Sequence, residues 1–264
     1  MVVASFRQGM TTLRIISFMD STDDRGLVVG STKEPLGIDY FGRGHWLTKI
    51  HVASSLRVRR RMFDIFCAYA GELRGLTVLD VGATPDTERC DSNCMIPWLL
   101  ERGARVILYS PENIDNLASR FPEVKILHAT EWKAAGVEHR FDWAISSAVL
   151  EHVGSRACQV SFLRDLADRS RGLFVTTPAR FHWMEFHTKI PLIHWLPKPM
   201  HRAILRRLGR RTWAKEAHLN LLSKGDFSYV ARSALEDEFA FELRSTWFGG
   251  MPSNHFLLAR HNEA

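Results

Sequence analysis

The chain has 264 residues, 45% of them hydrophobic and 24% charged, and a formal net charge of +6, which suits one large α/β domain with room for an extension. No stretch reaches the roughly 18 uninterrupted apolar residues of a membrane-spanning helix, and the N-terminus lacks a signal-peptide pattern, so we expect a cytoplasmic protein. The four cysteines form one C-x3-C pair without a second pair or a suitably spaced histidine, which disfavours a zinc site built on them.

The N-terminal part of the sequence predicts two segments ahead of a regular domain. Residues 1–38 show no sustained period and include a Gly/Ser/Asp-rich stretch, which predicts an extension of uncertain order. Residues 39–75 predict a helical segment, because apolar residues recur at near-helical spacing between 51 and 70. This segment carries the basic run Arg57, Arg59, Arg60 and Arg61, which we expect to face solvent or substrate.

From residue 76 onward the pattern alternates between strands and helices. The predicted strands are 77–81, 105–109, 124–128, 141–146, 172–176, 239–247 and 254–260. The predicted helices lie near 97–102, 113–120, 157–168 and 227–235. Such alternation favours an α/β fold with a mostly parallel, seven-stranded sheet and helices on both faces. The turn-forming Gly249, Gly250 and Pro252 between the last two strands predict a C-terminal antiparallel hairpin.

The loop after the first strand is suited to ligand binding. Asp80 and Gly82 end the strand, and ligands of open α/β sheets bind at the carboxyl ends of strands near a topological switch point. A glycine there lets the backbone approach a ligand closely, although an ordinary strand-to-helix turn would use it equally well. Neither a G-x-G-x-x-G nor a G-x-x-x-x-G-K sequence is present, which argues against dinucleotides and nucleoside triphosphates.

Two motifs together resemble a known family. The segment 78–82 (Val-Leu-Asp-Val-Gly) and the segment 141–153 (Phe-Asp-Trp-Ala-Ile-Ser-Ser-Ala-Val-Leu-Glu-His-Val) are similar to motif I and to the motif around strand four of class I S-adenosylmethionine-dependent methyltransferases, of the type 11 kind. The resemblance covers about residues 76–178 and the terminal hairpin. It implies a Rossmann-like methyltransferase domain over 76–264, with an aromatic and basic lid insertion at 179–222, and S-adenosyl-L-methionine as the cofactor.

The resemblance also implies which residues hold the cofactor. The candidate positions are Asp80, Gly82, Ala83, Glu112, Thr130, Glu131, Ser146 and Ser147. After strand two, Tyr109 or Ser110 occupies the position where the family has an acid, and Glu112 is the nearest carboxylate. The loop after strand one would hold the methionine part, an acid after strand two the ribose, and the loop after strand three the adenine. This sequence departs from the family in having Thr84 and Asp86 where further glycines are usual. Glu112 and Glu131 have an alternative interpretation as carboxylates at helix starts.

Methyl transfer from a sulfonium to a hydroxyl needs alignment of the reacting atoms and a group that removes the hydroxyl proton. Histidine is the usual side chain for this work near neutral pH. The catalytic candidates are His152, after strand four, and His182 and His187, after strand five; each has the alternative of a purely structural role. His182, Glu185 and His187 lack the H-E-x-x-H spacing, so hydrogen bonding is favoured over a metal site, and no metal is predicted.

The insertion 179–222 predicts where the methyl acceptor binds. Aromatic residues come first, followed by a basic run without an acidic residue from 186 to 215. One side of a helix would carry Met200, Ile204, Leu205 and Leu208, and the other side Arg202, Arg206 and Arg210. This arrangement suits either an anionic membrane surface or a lid packed on the core.

The resulting hypothesis is O-methylation of a small-molecule, glycan or lipid-linked acceptor. We expect a cytoplasmic protein, which for a lipid-linked acceptor would act at the inner face of the membrane. Nucleic-acid methylation is disfavoured, because Ser146-Ser147-Ala148-Val149 replaces an amino-methylation motif and no RNA-binding module is present. The remaining alternative is a degenerate methyltransferase fold that acts as a binding module.

Overall fold

The computed structural model describes residues 46–134 and 141–262, with the side chains of 46–51, 133 and 134 left undescribed. The strands are β1 (Thr77–Val81), β2 (Arg105–Tyr109), β3 (Lys125–Leu127), β4 (Trp143–Ser147), β5 (Gly172–Pro178), β6 (Phe239–Phe248) and β7 (Met251–His261). The α-helices are α1 (Trp46–Ala70), α2 (Met95–Glu101), α3 (Leu117–Arg120), α4 (Ala129–Ala134), α5 (Arg156–Arg169), α6 (Lys198–Arg207) and α7 (Lys224–Leu235). Short 3-10 turns lie at Leu150–His152 and Ile193–Trp195.

The strands form one mixed sheet in the order β3-β2-β1-β4-β5-β7-β6. The first five strands in this order are parallel, whereas β7 runs antiparallel to both β5 and β6. This confirms the predicted α/β fold with a mostly parallel seven-stranded sheet and a terminal hairpin. Because β1 lies between β2 and β4, the chain reverses its direction of winding beside β1, and the carboxyl ends of β1, β4 and β5 share one edge of the sheet.

The core explains why the short strands are stable. Every residue of β5 is buried, as a strand covered on both faces requires. Gly172 begins this strand beneath Trp143, and a Cβ added there would lie 2.5 Å from the indole ring. The glycine is therefore needed for a close approach between β5 and the ring.

Helix α1 is part of this core although it precedes the alternating pattern. Met62, Phe63 and Phe66 on one face are completely buried. The Phe66 ring stacks on Phe174 of β5 at 4.8 Å between centroids and meets Trp143 edge-on at 5.1 Å. Full burial of a phenylalanine stabilises a fold by about 1.5–3 kcal/mol, so the helix is held firmly against the sheet.

Some predicted boundaries differ from the structure. Helix α5 begins at Arg156, one residue earlier than predicted. The Ser155 side chain caps this end by accepting a hydrogen bond from the Cys158 amide. The hairpin strands are longer, since Gly249 and Gly250 take positive φ angles and close a tight turn. Residues 1–38 lie outside the described residues, and the predicted domain division at 76 stays a prediction. Among the described helices, none combines the length and the apolar character needed to cross a membrane.

Candidate active site

The turn after β1 brings the backbone close to the turn after β4. Gly82 has a φ of +96°, and its amide donates to the Tyr109 carbonyl at 2.9 Å. A Cβ on Gly82 would lie 2.3 Å from Cγ2 of Val149. Ala148, just before this valine, also has a positive φ of +59°, which is uncommon outside glycine and concentrates at functional sites. Gly82 is thus required for two reasons, its backbone angle and its contact with Val149.

Side chains hold the loop from 83 to 94, at positions where the methyltransferase family that this sequence resembles uses glycines. The Asn93 side chain accepts from the Thr84 amide at 3.0 Å and donates to the Thr84 carbonyl at 2.8 Å. Asp86 accepts from the amides of Glu88 and Arg89 and from the Ser92 hydroxyl. The departure from the family's glycines is therefore accompanied by an alternative set of hydrogen bonds.

Two buried polar groups lie in or beside this loop. Ala83 is buried, and the Thr84 hydroxyl is buried with no hydrogen-bond partner among the described residues. Asp80 is buried, and burial raises its pKa to about 7 although Arg59 opposes the rise. Arg59 belongs to α1 and donates to the Asp91 carbonyl at 3.0 Å.

Sequence reasoning did not single out Arg59 as a site residue. Its charge also acts on Cys94, Glu151 and His187. This one arginine of the basic run therefore lies among the turns after β1, β4 and β5. The sequence does not distinguish Arg59 from the other arginines of this run. Its neighbour Arg60, for example, pairs with Asp64 at 3.2 Å on the helix surface.

The residues predicted to hold the ribose and adenine lie after β2 and β3. Glu112 is half-buried, and burial raises its pKa. Thr130 and Glu131 are exposed, and the Glu131 carboxylate accepts from the His128 amide at 3.0 Å at the start of α4. The geometry of Glu131 thus matches the alternative interpretation as a carboxylate at a helix start.

A buried stack of rings lies between the end of β2 and α4. The Trp132 ring lies 3.9 Å from that of Tyr109 at an interplanar angle of 9°, and the Arg169 guanidinium lies 4.1 Å from the Trp132 centroid. Arg169 is in turn paired with Asp165 at 3.1 Å. The stack fixes the end of β2 relative to α4 and α5, which sequence patterns alone did not indicate.

The two serines at the end of β4 hold neighbouring strands. The Ser146 hydroxyl is buried and donates to the Val81 carbonyl at 3.1 Å. The hydroxyls of Ser147 and Thr176 lie 3.3 Å apart. Both serines therefore align the carboxyl ends of β1, β4 and β5, beneath the turns that follow.

A polar cluster of Glu151, His152, Glu185 and His187 lies after β4 and β5. The Nε2 atoms of His152 and His187 are 3.0 Å apart. His187 Nδ1 donates to Glu185 at 2.7 Å, and His152 Nδ1 donates to the His218 carbonyl at 2.6 Å. Glu151 is completely buried and accepts from the Thr177 hydroxyl at 2.9 Å. The fold thus brings together two of the three predicted catalytic histidines.

The members of this cluster have opposite electrostatic environments. Burial, followed by the charge of His187, lowers the pKa of His152 to about 3. Burial also opposes the charged form of His187, but the adjacent Glu185 carboxylate outweighs it and raises the His187 pKa. At Glu185 burial favours the neutral form, but the charge of His187 and the hydrogen bonds from His187 and Thr188 outweigh it and lower the Glu185 pKa to about 2. His152 is therefore neutral, and Glu185 is ionised.

His182 makes its contacts elsewhere in the insertion. It is buried, its ring stacks on Phe186 at 5.3 Å, and its Nδ1 lies 3.2 Å from the Met184 carbonyl oxygen. Its own carbonyl accepts from His194 at 2.7 Å and from Trp195 at 2.8 Å. The third predicted histidine thus organises the insertion, and it does not share the hydrogen bonds of the polar cluster.

The insertion has a small core and an exposed apolar and basic surface. Leu205 of α6 is buried with Trp213, Ala214, Leu219 and Leu221. Met200 and Leu208 remain more than half exposed, and Phe181, Trp183 and Trp195 are each about 40% exposed. Of the apolar residues predicted on one face of α6, Leu205 is therefore buried, whereas Met200 and Leu208 are exposed.

No protein-family model matches the sequence, and no curated protein matches it at a significant level. Among solved structures, the chain is similar to magnesium protoporphyrin IX methyltransferase from Synechocystis PCC 6803 with bound S-adenosylhomocysteine, at a TM-score of 0.51 and 17% identity over 83% of this chain and 89% of that one. The same enzyme with bound S-adenosylmethionine gives a TM-score of 0.50 and 15% identity over 83% and 86%. A putative sarcosine dimethylglycine methyltransferase from Galdieria sulphuraria gives a TM-score of 0.50 and 12% identity over 78% and 85%. The described residues therefore adopt the Rossmann-like fold of class I S-adenosylmethionine-dependent methyltransferases.

Proposed function

We propose that the protein is an S-adenosylmethionine-dependent methyltransferase that methylates a hydroxyl oxygen of a small-molecule, glycan or lipid-linked acceptor. The observation that carries the proposal is the contact between two turns at the carboxyl edge of the sheet. The Gly82 turn follows β1, and Val149, which it contacts, leads directly into Glu151 and His152 of the polar cluster. A cofactor held by the first turn would therefore present its methyl group towards the second.

The residues of the first turn fit the amino-acid part of this cofactor. The Arg59 guanidinium would bind the cofactor carboxylate, since arginine recognises carboxylates through paired, charge-assisted hydrogen bonds. The Asp80 carboxylate would bind the cofactor ammonium, which offsets the cost of ionising a buried acid. The unpartnered Thr84 hydroxyl would supply a further hydrogen bond. The bound cofactor supplies the electrophilic methyl group on a positively charged sulfur.

The polar cluster is suited to bind the acceptor oxygen. Buried polar groups in a cleft hold a hydroxyl in one orientation, which is the main requirement for an in-line transfer. A histidine with a pKa of about 3 is a weak general base, so His152 would position the acceptor as a neutral side chain instead of removing its proton. We therefore assign His152 and His187 to the proposed acceptor site and His182 to positioning the insertion.

Calorimetric titration with S-adenosylmethionine and S-adenosylhomocysteine tests the proposal. We expect saturable binding by the wild type, loss of binding by Gly82→Arg, and at least tenfold weaker binding by Arg59→Ala. Arg60→Ala is the matched control, because this neighbouring arginine pairs with Asp64 on the helix surface. Folded wild-type protein that binds neither compound would instead support a degenerate fold that acts as a binding module.

Transfer to an acceptor requires a second assay. Protein that binds the cofactor is incubated with S-adenosylmethionine carrying a labelled methyl group and with hydroxylated small molecules, glycans, lipid-linked sugars or nucleic acids. Label in a base-stable ether of one of the first three classes supports the proposal. Label only in nucleic acid would contradict it.

We further propose that the insertion contacts an anionic membrane surface, which would give access to a lipid-linked acceptor. Exposed Trp183 and Trp195 accompany an exposed basic group formed by Arg206, Arg207, Arg210, Arg211 and Lys215, and surfaces of this composition bind anionic lipid. Sedimentation with phosphatidylglycerol vesicles, but not with phosphatidylcholine vesicles, is the expected result. Equal sedimentation with both, or with neither, would refute this proposal.

A further inference from the structure

Three potential metal ligands converge at the polar cluster. The Nε2 atoms of His152 and His187 lie 3.0 Å apart, and Oε1 of Glu151 lies 3.8 Å from His152 Nε2. All three atoms are within 4.8 Å of one another. Ligands of a tetrahedral zinc ion at about 2.1 Å are separated by roughly 3.4 Å, so these separations bracket the spacing that one ion would impose.

The hydrogen bonds of the two histidines leave their Nε2 atoms as acceptors. His152 Nδ1 contacts a backbone carbonyl, and His187 Nδ1 contacts the Glu185 carboxylate. Both partners only accept hydrogen bonds, so both Nδ1 atoms carry the hydrogen, and in the neutral rings two lone pairs face each other. Either a proton or a cation must lie between them. An outer carboxylate or carbonyl on Nδ1 is also the usual way in which metal-binding histidines are oriented.

The buried carboxylate supplies a second, independent indication. Glu151 is 0% exposed, and only its Oε2 accepts from Thr177. Its Oε1 is buried and has no hydrogen-bond partner among the described residues. A buried carboxylate oxygen without a hydrogen-bond partner is unfavourable. A proton or a metal cation bound at Oε1 would offset this cost.

We propose that Glu151, His152 and His187 bind one divalent transition-metal ion of the zinc class. Two imidazoles and one carboxylate suit zinc, cobalt or nickel, whereas magnesium and calcium prefer oxygen ligands throughout. Glu185 and the His218 carbonyl act as outer partners that orient the two rings. Three protein ligands leave a coordination position open, as in catalytic rather than structural zinc sites.

The site would join two parts of the chain. Glu151 and His152 follow β4 in the sheet, whereas His187 belongs to the insertion, and the Trp213 ring lies 5.0 Å from that of His187 and 6.1 Å from that of His152. The ion would therefore fasten the insertion to the carboxyl edge of the sheet. The acceptor hydroxyl could occupy the open position, where the metal would lower the pKa of the hydroxyl. This last step rests on the proposed function, whereas the metal site itself does not depend on it.

Metal binding is tested with the untagged full chain after removal of bound metal by chelator and dialysis. Titration with zinc chloride against a chromophoric chelator should show one ion bound per chain. Cobalt(II) should give the visible absorption of a four- or five-coordinate ion. Glu151→Gln, which keeps the side-chain shape, should weaken zinc binding at least 100-fold, and Glu185→Gln, which alters an outer partner, about 10–100-fold.

The control is His128→Gln, which removes an exposed histidine directly after β3 and should leave zinc affinity within twofold of the wild type. Equal zinc affinity of wild type and Glu151→Gln would overturn the proposal. So would folded wild-type protein that binds no zinc at 100-fold molar excess, because a proton would then lie between the two rings. Where a variant fails to fold, the wild-type cobalt spectrum decides, since a spectrum unchanged from the hydrated ion also overturns the site.

These measurements separate the metal site from the proposed activity. Cofactor titration of the metal-free protein reports on the turn after β1 alone. Metal binding without cofactor binding would sustain the site and refute the methyltransferase proposal, and the reverse result would refute the site alone.

Discussion

Replacement of Asp80 by asparagine should stabilise the protein while weakening its binding of the cofactor. Burial raises the pKa of Asp80 from 3.8 to about 7, against the opposing charge of Arg59. The folded protein therefore holds a proton that the unfolded chain releases, and stability is lost as the pH rises from about 4 to 7. At about 1.4 kcal/mol per tenfold change in proton affinity, the ionised carboxylate costs on the order of 4 kcal/mol above pH 7.

Asparagine has nearly the same shape and no charge, so Asp80→Asn avoids this cost. Thermal unfolding at pH 8 should show a Tm about 8–16 °C above that of the wild type, with a smaller difference at pH 5. The control is Asp115→Asn, at a carboxylate with a 61% exposed side chain, whose effect should stay within about 0.5 kcal/mol. Calorimetry should show that S-adenosylmethionine binds Asp80→Asn at least tenfold more weakly. A Tm difference that does not change between pH 5 and pH 8 would refute the buried-charge argument.

Three further substitutions test other parts of the structure. Gly82→Ala should lower both stability and cofactor affinity, because its Cβ would lie 2.3 Å from Val149. Adding Val149→Ala should recover part of the stability. If no stability is recovered, the effect comes from the backbone angle alone. Trp132→Ala should cost about 3–5 kcal/mol in urea denaturation, since it removes the middle ring of a buried stack, and a loss below about 1 kcal/mol would contradict that role. Asp226→Asn should cost about 1 kcal/mol at pH 7, because the aspartate caps α7 and pairs with Arg156. Although burial opposes ionisation, these partners lower the Asp226 pKa to about 2. The difference in unfolding free energy between wild type and Asp226→Asn should therefore shrink as the pH falls from 4 towards 2. A difference that stays constant would be inconsistent with a charge effect.

The sheet could be predicted because its signals are local. The strand ends at Val81 and Tyr109 follow from short apolar runs that stop at a polar or turn-forming residue, and the hairpin follows from the Gly249-Gly250 turn. Gly82 stood out for the same reason, since it comes directly after a buried strand. These features depend on neighbours in sequence, so one chain is sufficient to reveal them.

The polar cluster could be predicted only in part, because its contacts join distant segments. His152 and His187 were both candidates, but their pairing spans 35 residues and crosses an insertion without a regular period. Glu151 belongs to the motif after strand four, yet nothing in the sequence distinguishes a completely buried glutamate from an exposed one at a helix start. Glu185 was considered as a metal ligand with His182, whereas in the structure it orients His187.

The place of α1 has a consequence for how the protein is divided experimentally. A fragment that begins at residue 76 would keep every strand of the sheet, and from sequence alone it would pass for the whole catalytic domain. It would lack the Phe66 ring that stacks on β5 and the Arg59 guanidinium that reaches Asp91. The folded unit, and with it the proposed cofactor site, therefore begins earlier in the chain than the repeating strand and helix pattern does.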